Sequence, residues 1–184
     1  MSLRPAAFLD RDGVLNAAHV RNGRPHPPAS VAELRILPGV AEACRRLRAE
    51  GFLLLVATNQ PDIARGNADA LEVARINDVL VDQLALDAIL VCPHDDADGC
   101  ACRKPRPGLL LDAADRWGVD LARSTMVGDR WRDIEAGEAA GVSTVFLDRG
   151  YDERRPTTYG QRTTDLIHAL PYILERAEQG VRVP

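Results

Sequence analysis

The sequence predicts an α/β fold in three layers: a Rossmann-like, mostly parallel sheet with helices on both faces. Three observations predict it. Short apolar, β-rich runs alternate with longer stretches of helical spacing. The run Phe52-Leu53-Leu54-Leu55-Val56-Ala57 is apolar throughout, as a strand is when both faces of its sheet are covered. Polar residues with chemical capacity recur just past the ends of such runs, where open α/β sheets bind their ligands.

The elements follow in order. Residues 6–9 read as a first strand ending at Asp10. Val40, Ala43, Cys44 and Leu47 keep helical spacing between Pro38-Gly39 and a stop at Gly51, and Cys44 on that apolar stripe is a packing residue. A strand over 52–57 and a long helix over 68–86 come next, then a strand over 88–91. Residues 107–117 form a helix with Pro107 near its first turn. A strand over 124–127, a helix over 134–140 closed by Gly141, a fifth strand over 143–147 and a last helix over 164–179 complete the pattern.

Composition limits what this fold can serve. The 184 residues suit one domain, 1–184, and are 46% hydrophobic and 27% charged. The net charge of −4 gives no basic field for nucleic acid or an anionic membrane. No apolar run approaches the ~18–20 residues of a membrane span, and no secretory leader is read at the N-terminus. Three of the four cysteines lie within eleven residues, with His94 among them. A disulfide framework would spread them, so they read as metal ligands in a reducing cytosol. The expectation is a cytoplasmic protein, monomeric, acting without nucleic acid or membrane.

Four loops follow apolar strands: 10–16, 58–66, 92–105 and 128–133. In the first, Asp10 and Asp12 are two apart, so in extended chain both carboxylates point the same way; one can attack while the other handles a proton. Gly13 allows a sharp turn. In the second, Thr58, Asn59 and Gln60 offer neutral donors to an oxyanion. In the third, Lys104 offers a point charge and Arg103 a planar fork. In the fourth, Asp129 and Asp133 lie about one helical turn apart and suit Mg²⁺, which takes one or two carboxylates plus water and phosphate. Singly, each has a plain reading as a turn, a helix cap or solvated charge. Their order, each at a strand end, is harder to explain that way.

That order resembles the haloacid dehalogenase superfamily over about residues 6–148, with Phe8-Leu9-Asp10-Arg11-Asp12-Gly13 as its first motif, Thr58 its second, Lys104 its third, and Gly128-Asp129 with Asp133 its fourth. The resemblance implies a Mg²⁺-dependent phosphomonoesterase. Asp10 would be the nucleophile that forms an aspartyl-phosphate, and Asp12 the acid and then the base. Asp10, the backbone carbonyl of Asp12, and Asp129 would hold the metal, Asp133 would orient its shell, and Thr58 and Lys104 would clamp phosphoryl oxygens. It also implies no large cap domain, because no gap between motifs could hold one.

Cys92, His94, Cys100 and Cys102 supply four ligands with no open position, the pattern of a structural zinc, here stapling a loop over 92–102. Cys-Pro-His…Cys-x-Cys-Arg-Lys-Pro resembles the small zinc-bearing branch of the superfamily, which includes phosphatases of D-glycero-D-manno-heptose 1,7-bisphosphate and of histidinol phosphate. A sugar bisphosphate losing its 7-phosphate is the first expectation for substrate, and histidinol phosphate the second. A rival of another class is a catalytically silent, zinc-stapled interaction module, which the intact motif set disfavours. A second anion site would draw on His19, Arg21, Arg24, His26, Arg65, Arg103 and Arg130; Arg65 and Arg103 rank first because they flank the motif loops. The chain departs from the branch's common pattern at Pro61-Asp62 and over 18–21.

Overall fold

The computed structural model describes residues 3–180. The expected domain, 1–184, thus includes residues 1–2 and 181–184, which lie outside the described residues. Strand β1 (Ala6–Leu9) is followed by a two-stranded hairpin, β2 (His19–Arg21) and β3 (Arg24–His26). The main pattern then runs α1 (Val40–Ala49), β4 (Leu53–Asn59), α2 (Ala70–Leu84), β5 (Ala88–Cys92), α3 (Gly108–Trp117), β6 (Thr125–Gly128), α4 (Trp131–Ala140), β7 (Ser143–Leu147), β8 (Gln161–Thr163) and α5 (Leu166–Gln179).

The six strands of the main sheet are ordered β5-β4-β1-β6-β7-β8, and every pairing among them is parallel. Strand β1 is central, with Leu9 opposite Val56 of β4 and opposite Val127 of β6. The chain moves outward from β1 through β4 and β5, then returns to build β6, β7 and β8 on the other side. The order therefore reverses at β1, and the loops after β1 and β6 diverge there to leave a crevice, the place where doubly wound sheets bind ligands.

Alternation along the strands divides the core. Ala7, Leu9, Leu54, Val56, Val127 and Val145 face one layer, packing with Val40, Ala43 and Leu47 of α1, Ile76 and Leu80 of α2, and Leu170 and Ile173 of α5. Ala6, Phe8, Leu53, Leu55, Ala57 and Met126 face the other, against Leu109, Leu110 and Ala113 of α3 and Ala140 at the end of α4. This is the two-faced burial expected of apolar parallel strands. Cys44 is buried in the first layer, as expected of a packing residue.

Three expectations need correction. The sheet has a sixth strand, β8, in a stretch to which the sequence assigns no element: Gln161-Arg162-Thr163 carries no apolar pattern, and its place at the sheet edge rests on backbone pairing with Val145, Phe146 and Leu147. The last helix consequently begins at Leu166, capped by the Asp165 side chain on the His168 amide. The hairpin over 19–26 was not anticipated, although it turns on Asn22-Gly23, both at positive φ (50° and 72°), a combination that favours a tight two-residue reversal.

Among the described residues, no helix is long and apolar enough to cross a membrane. Helix α4 lies so close to the sheet that a Cβ on Gly137 would meet Met126 Cβ and Thr144 Cγ2, each at 2.8 Å. Gly→Ala inside an exposed helix usually stabilises by about 1 kcal/mol. Here the sign should reverse: Gly137→Ala is expected to destabilise by about 1–3 kcal/mol through overpacking. Urea denaturation checks this, and a raised midpoint would contradict the packing described.

Candidate active site

The site is built at the carboxyl ends of β1, β4 and β6. The Asp10 amide donates to Val127 O at 2.9 Å, so the loop after β1 leaves the sheet in register with β6. Asp10, Asp129 and Asp133 converge, with one oxygen of each carboxylate lying within 4.8 Å of the others, and all three residues are buried. Lys104 reaches the same point from the loop before α3. Its Nζ donates to Asp10 Oδ1 at 2.8 Å and to Ala57 O at 2.6 Å, and lies 2.5 Å from Asp133 Oδ1.

Local chemistry fixes each of these groups. Asp133 sits in the first turn of α4 and accepts the Arg130 amide on its second oxygen at 3.0 Å, so it caps the helix while gripping Lys104. That helix starts three residues before the expected 134–140, which places Asp133 inside it. Gly128 makes room: a Cβ there would fall 2.0 Å from Asp133 Cβ. Gly13 makes room for Asp129 in the same way, since at φ +85° its Cβ would lie 1.7 Å from Asp129 Oδ2. Asn59 brackets Lys104 through the backbone, donating to its carbonyl at 3.0 Å and accepting its amide at 3.1 Å.

The electrostatics are unbalanced. Three buried carboxylates face one ammonium, which leaves a formal charge of −2 when all are ionised. Burial, opposed by Lys104 and reinforced by Asp133, pushes Asp10 up to about 6. Burial, followed by the charges of Asp10 and Asp133, holds Asp129 well above the usual carboxylate range. Lys104 is raised: burial works against its charge, but Asp10 and Asp133 outweigh burial. Asp129 Oδ2 accepts the Tyr151 hydroxyl at 2.8 Å, while its buried Oδ1 has no partner among the described residues. Excess negative charge and an orphaned carboxylate oxygen in an oxygen-rich cluster fit a hard divalent cation such as Mg²⁺.

The remaining sequence-predicted residues fall into two groups. Thr58 and Gln60 are buried in the same region. The Gln60 amide nitrogen donates to Asp12 Oδ2 at 2.8 Å and to Thr58 Oγ1 at 3.0 Å. Asp12 also accepts from Arg11 and Asn16. Of the candidates for anion binding, His19, Arg65, Arg103 and Arg130 lie beside carboxylates or, for Arg103, also a carbonyl, while Arg21, Arg24 and His26 lie on the β2–β3 hairpin. Arg65 forks onto Asp95, Arg130 onto Glu153, and His19 Nε2 lies 3.4 Å from Glu33. Arg103 pairs with Asp96 and donates to His94 O. Beside Arg103 and Lys104 a cleft of about 170 Å³ opens, lined also by Arg106, Asp95 and Asp96.

Residues that sequence reading passed over complete the surroundings. Arg11 and Asn16 hold Asp12. Tyr151 and Arg149 come from the loop after β7, and Arg149 donates to Gly13 O at 2.9 Å. This is a fifth strand-end loop, and the same strand-end rule applied to β7 would have found it.

The second cluster lies at the end of β5. Cys92 Sγ is 3.2 Å from Cys102 Sγ and 3.7 Å from Cys100 Sγ, and Cys100 and Cys102 are 3.4 Å apart. His94 Nδ1 is 3.7 Å from Cys92 Sγ and 3.3 Å from Cys102 Sγ. A zinc tetrahedron with ~2.3 Å sulfur and ~2.0 Å nitrogen arms has edges of about 3.5–3.8 Å. The cluster is therefore slightly contracted but of the right shape, and its donor set suits structural zinc. Burial pushes the Cys92 thiol up to about 12. Burial acts the same way on Cys100, but hydrogen bonds from Cys102 and the backbone outweigh it and bring that thiol down to about 7.

Comparison with known proteins agrees with this geometry. The haloacid dehalogenase-like hydrolase family is matched over residues 18–141. D-glycero-β-D-manno-heptose-1,7-bisphosphate 7-phosphatase from Rhodopseudomonas palustris is 40% identical over 151 residues, 76% of this chain and 81% of that protein. The Escherichia coli K12 protein of the same name is 40% identical over 157 residues, 79% of each chain. Among solved structures, D,D-heptose 1,7-bisphosphate phosphatase from B. bronchiseptica, complexed with magnesium and phosphate, superposes with a TM-score of 0.79 at 35% identity, covering 94% of this chain and 99% of that one. The fold, the paired clusters and these relatives together mean that the chain belongs to the haloacid dehalogenase-like hydrolases, in the D-glycero-β-D-manno-heptose-1,7-bisphosphate 7-phosphatase family.

Proposed function

We propose that the chain is a phosphomonoesterase that removes the 7-phosphate of D-glycero-β-D-manno-heptose 1,7-bisphosphate, working in the cytoplasm through a phosphorylated Asp10. The observation that carries the chemistry is the convergence of Asp10, Lys104, Asp129 and Asp133 at the reversal point of the sheet. The substrate is supported by relatives that match four-fifths of the chain and bear that activity in their names. All the residues invoked come from one chain, so a monomer suffices.

Asp10, the carbonyl of Asp12, and Asp129 would hold Mg²⁺, with Asp133 behind them. When bound, the ion supplies positive charge that lets an anionic nucleophile meet an anionic ester. Asp10 attacks phosphorus and forms an acyl phosphate. Asp12 gives its proton to the departing sugar oxygen. Thr58 and Lys104 would hold phosphoryl oxygens; Lys104, whose three N–H groups are taken by Asp10, Ala57 O and Asp133, would turn one of the latter two over to the phosphoryl group while staying on Asp10, which keeps the nucleophile aimed. Asp12, now ionised, then takes a proton from the water that opens the acyl phosphate. The cleft beside Arg103 and Arg106 offers room and charge for the second phosphate.

Three outcomes test this reading. Asp10→Asn should lower turnover by about a thousandfold or more while the fold persists, since deleting a nucleophile removes the covalent route. Phosphate release and circular dichroism check it, and retained turnover would contradict the covalent route. In a phosphate-release panel with Mg²⁺, the β-heptose bisphosphate should exceed its α-anomer, histidinol phosphate and generic sugar monophosphates in kcat/KM; preference for histidinol phosphate would move the substrate assignment. Metal analysis of the reduced protein should find about one zinc per chain, lost in Cys102→Ser together with thermal stability. A disulfide among Cys92, Cys100 and Cys102 in freshly reduced protein would exclude that site.

A further inference from the structure

Among the described residues, Arg11 is the bulkiest to be fully buried, with 0% exposure. A guanidinium keeps its charge at any pH the protein meets, so in such a place it needs a counter-charge and acceptors. One edge of it faces Asp12: Nε lies 3.2 Å from both carboxylate oxygens and Nη2 3.0 Å from Oδ2. The other edge is taken by a residue outside every motif loop. Nη1 donates to Asn77 Oδ1, 2.9 Å away on α2. Asn77 adjoins Ile76, one of the residues that seat α2 on the sheet.

We propose that Asn77 is a positioning residue for the proton transfers of Asp12, acting through Arg11; this rests on the reading of Asp12 as acid and base. Asn16 and Gln60 also donate to Asp12, at 2.9 and 2.8 Å, so its orientation is set by three neighbours. Arg11 alone among them carries charge and grips both oxygens. Its own orientation depends on Asn77, because without that carbonyl Nη1 has no other acceptor among the described residues. A buried ion pair seldom stabilises a protein more than a well-packed apolar side chain. An arginine buried at position 11 is therefore better explained by orienting a carboxylate than by stability. Proton transfer demands that fixing, since small misplacements of a reacting group cost rate steeply.

Leaving-group dependence separates this role from a structural one. A sugar alkoxide must be protonated as it leaves, whereas p-nitrophenolate leaves without help. kcat/KM reports the steps through ester cleavage, where the proton is given. In the full chain with Mg²⁺, Asn77→Leu is expected to lower kcat/KM for the β-heptose bisphosphate about 10- to 100-fold. For p-nitrophenyl phosphate the fall should be less than about threefold. Arg11→Lys, which keeps the charge and loses the fork, should show the same selectivity. Asn77→Ala replaces Asn77→Leu should the latter not fold. Equal losses on both substrates, or no loss on either, overturn the proposal. Asp12→Asn measured alongside separates the two levels: selective loss there but not at Asn77 overturns the positioning role alone, and non-selective loss at Asp12 overturns the reading of Asp12 as well.

Discussion

Lys104 is 1% exposed, and its ammonium is gripped by two carboxylates and a carbonyl. Much of the site follows from that burial. A buried cation persists only when its partners are close and its hydrogen bonds complete. Here the partners come from three places: Asp10 from the end of β1, Ala57 from β4, and Asp133 from the first turn of α4. The contact forms only if the sheet order is right, if Gly128 leaves room for Asp133, and if the loop carrying Lys104 enters at the right height. Fold and site are thus specified by the same contact. Three carboxylates around one ammonium also leave negative charge unmatched, which makes the cluster receptive to a divalent cation and, beyond it, to a phosphate.

The loop that carries Lys104 could not hold its shape by burial alone. Between Pro93 and Pro105 it offers acidic and basic residues but scarcely any apolar side chain apart from its cysteines. Its order comes from elsewhere. The Cys92-His94-Cys100-Cys102 cluster gathers both ends at β5, and Asn59 clasps the Lys104 backbone from β4. Asp96 joins Arg103 to Arg132 of α4, so the loop is also tied to the helix that presents Asp133. A metal in the cysteine cluster, though not part of the proposed chemistry, would stiffen the segment that carries Lys104.

Much of this was legible in the sequence because the main determinants are local. Apolar, β-rich runs mark β1, β4, β5, β6 and β7, and chemistry-bearing residues stand directly after the first four. What escaped depends on pairing rather than pattern. β8 is polar and held by its neighbour's backbone, and the strands of the β2–β3 hairpin carry Arg and His where alternating apolar residues would have marked them. Arg11 looks like surface charge in sequence, since its burial exists only once α2 brings Asn77 to it. Arg65, Arg103 and Arg130 read as free cations, yet each meets a carboxylate at least seven positions away along the chain, a relation that spacing does not encode.

The arrangement at the sheet reversal suits the proposed two-step displacement, in which Asp10 attacks phosphorus and Asp12, held by Arg11, Asn16 and Gln60, handles the proton. Two successive in-line displacements at phosphorus leave its configuration unchanged, whereas a single attack by water reverses it. The stereochemical course of hydrolysis, followed with an ester chiral by oxygen isotopes at phosphorus and run in labelled water, therefore tests the central claim most directly. Retention of configuration is the predicted result, and inversion would contradict it.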